Sequence, residues 1–282
     1  MERFRDSKKS ENALDVRPMR IIPYVETRRS HAAPWARRAA LLSVAVLVVA
    51  IGAHWLQVLE TPAFFWAMAV VAGLAVLALV LAAAGMPKVW YRGFHGGADL
   101  IVAVLFAVLV LAPLSAAAWW ALSHPPLTDI STDLEDPPSF AAALHSRRAG
   151  MNPVMTPNEE WRSEQLAAYP NVSGRRYAAP IESVREAVER TFDARGWGIL
   201  GPYIVGTGIE FSVEATVYSP VLALPSDVVV RLVEDGDATF VDMRSASRYG
   251  QTDFGENAAR IEAFLKDLDV AVAAMTPVAQ GE

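Results

Sequence analysis

Three long apolar runs dominate the first half of the chain, over residues 39–59, 63–85 and 101–122. Each is long enough to cross a hydrocarbon core of about 30 Å as a helix, so the pattern predicts three transmembrane helices. Beyond residue 122 the pattern breaks into short periodic segments. Pro180 opens a predicted helix in which Ile181, Val184, Val188, Thr191 and Phe192 keep helical spacing, and Gly196 closes it. A weak strand signal at 197–200 precedes three stronger ones. Ile209, Phe211, Val213, Ala215 and Val217 alternate with Glu210, Ser212, Glu214 and Thr216. Residues 227–233 are rich in valine, and Asp235-Gly236 turns the chain into a strand over 239–248. A last helix begins at Phe254, where Asp253 and Glu256 have capping-box spacing, and it buries Phe254, Ala258, Ile261, Leu265, Leu268 and Val272. The expected fold is α+β: three transmembrane helices followed by a two-layer sandwich of antiparallel sheet and helices.

This divides the chain into a basic N-terminal segment (1–38), a three-helix membrane region (39–122), an acidic, proline-bearing linker (123–170), a soluble domain (171–275) and a tail (276–282). The stretch 127–138 carries Asp129, Asp133, Glu135 and Asp136. It lacks the glycine and ligand alternation of a calcium loop and reads as a solvated lead into the domain. Residues 139–170 read as irregular, with one short helix near 161–168.

Charge sharpens the topology. Residues 1–122 hold 12 Lys and Arg against 7 Asp and Glu, whereas 123–282 hold 13 against 24. Ten of the basic residues precede the first span, Arg28, Arg29, Arg37 and Arg38 among them; Lys88 and Arg92 lie between spans two and three. The positive-inside rule then keeps the N-terminus and that second connection in the cytoplasm and carries the C-terminal domain across, into the periplasm of a bacterium. Trp35, Trp55, Trp66, Trp90, Tyr91, Trp119 and Trp120 fall near span ends, at headgroup level. The long charged prefix and the 21 apolar residues of the first run argue against a cleaved signal peptide. His54, Gln57 and Asp99 border the spans and read as interfacial. Ala69, Gly73, Ala82, Ala83 and Ala84 suit close helix packing.

Composition excludes several kinds of chemistry. With no cysteine there is no disulfide, thiolate metal site or Cys nucleophile. The acidic domain repels phosphate backbones, so no nucleic-acid partner is expected. Residues 201–208 lack both the Lys-Ser/Thr ending of a phosphate loop and dinucleotide glycine spacing, and read as a loop. No cofactor motif and no metal site is predicted.

One constellation stands out: Arg244-Ser245-Ala246-Ser247-Arg248-Tyr249-Gly250, followed by Asp253, Gly255, Asn257, Arg260 and Ile261. Strand alternation puts Asp242, Arg244, Ala246 and Arg248 on one face and Val241, Met243, Ser245 and Ser247 on the other. The segment resembles the R-S-x-S-R-x-G-x-x-D-x-G-x-N-x-x-R-I signature of domain-of-unknown-function family 1499. That resemblance implies a family domain over roughly 165–270. The three spans and the D-I-S-T-D stretch at 129–133 resemble a membrane-anchored branch of the family, which has no established activity to carry over. Where relatives often place aromatic residues, this chain has the loop 220–225.

Two readings of the constellation stay open. In one, the arginines, Asp253 and Asn257 lock strand to helix. In the other, Arg244, Arg248 and Arg260 form a clamp for an anion, since guanidinium forks match carboxylate and phosphate. Ser245 and Ser247 have no evident general base, and the compact unit contains no histidine. Leu222 and Leu224 form an apolar loop that packs on the domain's own helices or touches membrane or a partner. The leading expectation is a non-enzymatic envelope protein of the inner membrane whose partners are the bilayer and an envelope protein or small anionic ligand. The alternatives are an enzyme using the Arg/Asp cluster on an anionic substrate and a structural subunit of a membrane complex.

Overall fold

The computed structural model describes residues 30–156, 158–204 and 210–275. Arg28 and Arg29, the second half of the loop expected at 201–208 and the tail at 276–282 lie outside the described residues.

Three helices long and apolar enough to span a membrane come first: α1 (Ala32–Trp55), α2 (Thr61–Arg92) and α3 (Gly97–Ser123). α2 and α3 extend past the predicted runs at both ends, whereas α1 starts earlier than its run and stops at Trp55, so Trp35, Arg37 and Arg38 lie within α1. Small side chains set their packing. Ala33, Ala36 and Ala40 of α1 meet Val71, Ala75, Ala78 and Ala82 of α2 and Ala103 and Ala107 of α3, all buried. Without a hydrophobic driving force between helices in lipid, such close backbone approach supplies the contact energy. Of the small residues expected in this role on span two, only Ala82 is in the interface. Ala69, Gly73, Ala83 and Ala84 face outward, because the buried row runs through Phe64, Val71, Ala75, Ala78 and Ala82.

His54 also departs from expectation. It is buried and stacked on Phe64 (4.5 Å), with Nδ1 2.8 Å from the Leu59 carbonyl, so it fastens α1 to α2 instead of snorkelling. Asp99 stays at the surface, paired with Arg37 at 3.1 Å. Ser30 N–H donates to His95 O, placing the start of α1 beside the α2–α3 connection. The α1–α2 connection lies at the opposite end, where Glu60 reaches Arg148 of the C-terminal domain.

The domain is a six-stranded antiparallel sheet with helices. Its long strands are β3 (Ile199–Ile204), β4 (Glu210–Tyr218), β5 (Pro225–Asp235) and β6 (Ala238–Ser247). Two short strands, β1 (Asp129–Ser131) and β2 (Arg175–Tyr177), share the outer edge of β6, giving the order β1-β6-β5-β4-β3 with β2 also on β6. Helices α6 (Ile181–Ala194) and α7 (Glu256–Met275) cover one face. Val184, Val188 and Phe192 of α6 and Ile261, Phe264 and Leu268 of α7 bury against Val213, Val228, Val230, Leu232, Val241 and Met243. Gly196 follows α6 at φ +66°, a left-handed conformation that glycine adopts without Cβ strain. The predicted two-layer sandwich is present, and Gly201 to Ile204, expected as loop, extends β3.

The acidic linker is the main correction. Asp129–Ser131 is a buried strand, not a solvated lead. Two short helices follow, α4 (Ala142–Ser146) and α5 (Glu159–Ala168). Phe140 and Ala143 pack on Val229 and Ala246, so this segment covers part of the sheet's second face. The α5 side chain Gln165 closes the free edge of β1: Nε2 donates to Ser131 O at 2.6 Å and Oε1 accepts from Ser131 N at 3.1 Å. An unpaired edge would otherwise be open to another strand.

Candidate functional site

The signature begins on β6, and alternation divides it between the two faces of the sheet. On the face away from α6 and α7, Arg244 and Asp129 form a forked pair, Nε to Oδ1 at 2.8 Å and Nη2 to Oδ2 at 2.7 Å. Arg244 also donates to the carbonyls of Pro138 and Met155. Four residues on, past Ala246, Arg248 grips Asp227, with Nη2 to Oδ1 at 2.7 Å, while Arg147 donates to the same carboxylate at 2.8 Å. The Arg248 Nη2 group further donates to Ser146 Oγ and Thr216 Oγ1. Glu214, fully buried on this face, accepts from the backbone N–H groups of Ala141, Ala142 and Ala143. Three arginines thus face three carboxylates, which leaves no formal excess of positive charge here.

The helix-facing side carries a second network. Ser245 Oγ donates to Asn257 Oδ1 at 2.8 Å, and Asn257 Nδ2 donates to Ser247 Oγ and to Thr128 O, both at 3.0 Å. Arg260 Nη1 donates to Ser245 Oγ (3.0 Å) and Asn257 Oδ1 (2.6 Å), with Glu256 3.7 Å away. Asp253 caps α7, accepting from Gly255 N (3.0 Å) and Asn257 N (2.8 Å). Glu256 does not complete the expected capping box, since its carboxylate is turned to Arg260. Burial raises the Asp253 carboxyl, opposed by its backbone hydrogen bonds and by Arg260; burial likewise raises Glu256 and lowers Arg260.

The structure therefore brings Ser245, Ser247, Asp253, Asn257 and Arg260 together but sets Arg244 and Arg248 on the opposite face. The three arginines do not converge. Asp129, Arg147, Glu214 and Asp227 complete these networks and were not named as members of the site from sequence. For Asp129 a signal existed, the D-I-S-T-D resemblance. For Glu214 and Asp227 strand alternation marks a polar face without saying what covers it.

The acidic stretch finds its own partner. Arg231 donates to Asp136 (2.9 Å) and Asp133 (3.0 Å) and lies 3.5 Å from Asp242. Burial acts to lower the Arg231 pKa, but these carboxylates outweigh it and the net shift is upward.

Leu222 and Leu224 belong to the β4–β5 loop, which turns toward the membrane helices. Trp55 Nε1 donates to Val221 O at 3.1 Å, and Phe65 meets Tyr249 edge-on at 6.4 Å. Between this loop, the C-terminal end of α3 and the start of α7 lies a cavity of about 260 Å³. Ala116, Ala117 and Trp120 wall it from α3, Leu222 and Leu224 from the loop, and Phe254 from the turn before α7, while Ser226, Ser247 and Glu256 supply polar groups. The loop thus meets the chain's own spanning helices, a contact that neither expected fate named.

Residues 129–268 match the model of DUF1499, described as a protein of unknown function. The chain carries a DUF1499 domain and belongs to that family. The match starts at Asp129 instead of near residue 165 and so includes β1, α4 and α5 in the DUF1499 unit. No curated protein matches the chain. Among solved structures it is similar to CalU16 from Micromonospora echinospora, at 23% identity and TM-score 0.25, over 36% of this chain and 73% of that one. It is also similar to the Saccharomyces cerevisiae Ran-binding protein Mog1p, at 15% identity and TM-score 0.22, over 35% of this chain and 64% of that one. At these scores neither likeness bears on what the DUF1499 domain does.

Proposed function

We propose that this protein is a membrane-anchored, non-enzymatic member of its family, whose DUF1499 domain serves as a binding or interaction module on the periplasmic side of a bacterial inner membrane. The orientation rests on charge. Arg37, Lys88 and Arg92 gather at the end of the helical bundle away from the domain, and basic residues of short connections stay in the cytoplasm. The non-catalytic reading rests on one observation: the chemistry-bearing side chains of the signature are committed to internal partners. Ser245 and Ser247 are hydrogen-bonded to Asn257, which is no general base, and Arg244 and Arg248 are each satisfied by a buried carboxylate. The signature then holds β1, the sheet and α7 in register, and a visitor meets the surface elsewhere, toward the bilayer. An envelope protein or a small ligand is the expected partner.

Reporter fusions in a bacterial host test the orientation. A periplasm-dependent reporter placed after Glu282 should be active, and one placed near Arg92 inactive. The reverse pattern overturns the assignment.

A further inference from the structure

We propose that the cavity between α3, the β4–β5 loop and the start of α7 receives the acyl chain of a bilayer lipid, with a zwitterionic or amine-bearing headgroup held at its acidic rim. This deepens the reading of an outward-facing anchored module and rests on it. The first support is continuity with lipid. Ala116, Ala117 and Trp120 lie on the outward face of a spanning helix, so the α3 wall of the cavity is also a surface that acyl chains already touch. Trp55, Trp119 and Trp120 mark the same level as the headgroup region, where indole rings settle. At about 260 Å³ the cavity sits below the roughly 300–1,000 Å³ of drug-sized pockets, which suits a segment of one acyl chain and not a whole lipid.

The second support is that the far wall is built and held. Ser219 closes the loop on itself: its N–H donates to Leu224 O, its carbonyl accepts from Ala223 N, and its Oγ accepts from Leu224 N. Ala223 is held at φ +53° and Phe254 at φ +55°, conformations that cost a non-glycine residue about 1–3 kcal/mol and persist where surrounding structure enforces them. Among the described residues the third non-glycine at positive φ is Gln57, in the α1–α2 connection beside Trp55. Backbone strain therefore gathers where the domain meets the spans.

The headgroup class follows from charge. Glu256, half-buried, lines the cavity with Asp253, while Arg260 lies behind Glu256 and outside the lining. With Asp253 committed to the α7 cap, the half-exposed Glu256 carboxylate beside the serine hydroxyls disfavours an anionic headgroup and suits an ammonium.

Full-length protein in bilayer nanodiscs, carrying phosphatidylethanolamine with a photoreactive group on its acyl chain, tests the proposal. After irradiation, adducts should map to 219–226 and 249–256 as well as to the spans. Unlabelled phosphatidylethanolamine should compete saturably for the loop adducts, whereas span adducts should fall only in proportion to dilution. Ala117→Trp, which fills the cavity from the lipid side, should reduce loop adducts at least several-fold and spare the spans. A phosphatidylglycerol probe with the same chain should label the loops about fivefold less, the discrimination a half-exposed charge pair supplies, and Glu256→Gln should erase that difference. Absent loop adducts, or loop adducts that do not saturate, overturn the lipid site while the anchored-module reading stands. Equal labelling by both probes overturns the headgroup class. Only a reversed reporter pattern overturns the parent reading.

Discussion

The forked pair between Asp129 and Arg244 offers the sharpest test of the locked signature. Both side chains are nearly inaccessible, 1% and 5% exposed, and the Arg244 guanidinium lies 5.5 Å above the Phe140 ring. Arg244→Ala strands a buried carboxylate whose other acceptor contact is Met155 N at 3.0 Å. Removing one partner of a buried ion pair typically costs about 3–5 kcal/mol, because the remaining charge is neither solvated nor paired. With a urea dependence of about 2 kcal/mol per molar for a domain of this size, the midpoint should fall by roughly 1.5–2.5 M. Pulse proteolysis of the full-length protein in detergent micelles across a urea series reads that shift. Asp129→Leu combined with Arg244→Met should recover much of the loss, since an apolar pair replaces the ions at little cost. Recovery will be incomplete, because the backbone groups of Pro138 and Met155 lose their partners. A single-variant shift below about 0.5 M, or a double variant equal to the sum of the singles, would refute the argument. An Arg244→Ala protein more stable than the parent would show an arginine strained toward an absent anion.

Asp253→Ala removes the cap of α7 and should cost about 1–2 kcal/mol, whereas Asp253→Asn keeps the cap. Because burial raises this carboxyl, the folded state holds its proton more tightly than the unfolded chain does. The group's contribution is therefore fully present below the unfolded pKa and is lost as pH rises through the folded one. Asp253→Asn should flatten that part of the stability profile just above the ordinary carboxylate range. Superimposable profiles for parent and variant would contradict it. A chain beginning at residue 125 should fold without the spans and show near-ultraviolet dichroism, whereas one beginning at 171 should not, because it lacks Asp129 and the β1 edge. Equal folding of the two would remove β1 from the essential structure.

The spans, α6 and the strands β4, β5 and β6 were legible because each writes its period into its own few residues, whereas β3 gave only a weak signal for its first residues. Apart from the short helix α5, the segment 123–170 was not legible, because little that is local orders it. Asp129 is paid for by Arg244, Gln165 by the edge of β1, and Asp133 and Asp136 by Arg231, all distant in sequence. An acidic, proline-bearing run looks solvated until those partners are in place. Glu214 illustrates the same limit, since alternation with Val213 and Ala215 separates two faces of β4 but cannot reveal that α4 begins on the polar one. The signature residues themselves were found, and their pairing as a lock was one of two open readings. What sequence could not show is that Arg260 is across the sheet from Arg244 and Arg248, because that depends on where α7 docks.

Only residues 124–128 separate the end of α3 from β1, and they are fastened along their length. Pro125 O accepts from Thr252 Oγ1, Leu127 O from Asp253 N, and Thr128 O from both Ser247 N and Asn257 Nδ2. A flexible tether would let a module sweep out a volume and meet partners at many heights. This join leaves no slack, so the domain stands on its last helix as a fixed post. Whatever it engages must come to one height and one azimuth above the bilayer, and a soluble partner has to supply its own reach. A change in the tilt of α3, imposed by a thinner or thicker membrane, passes directly into a rotation of the sheet.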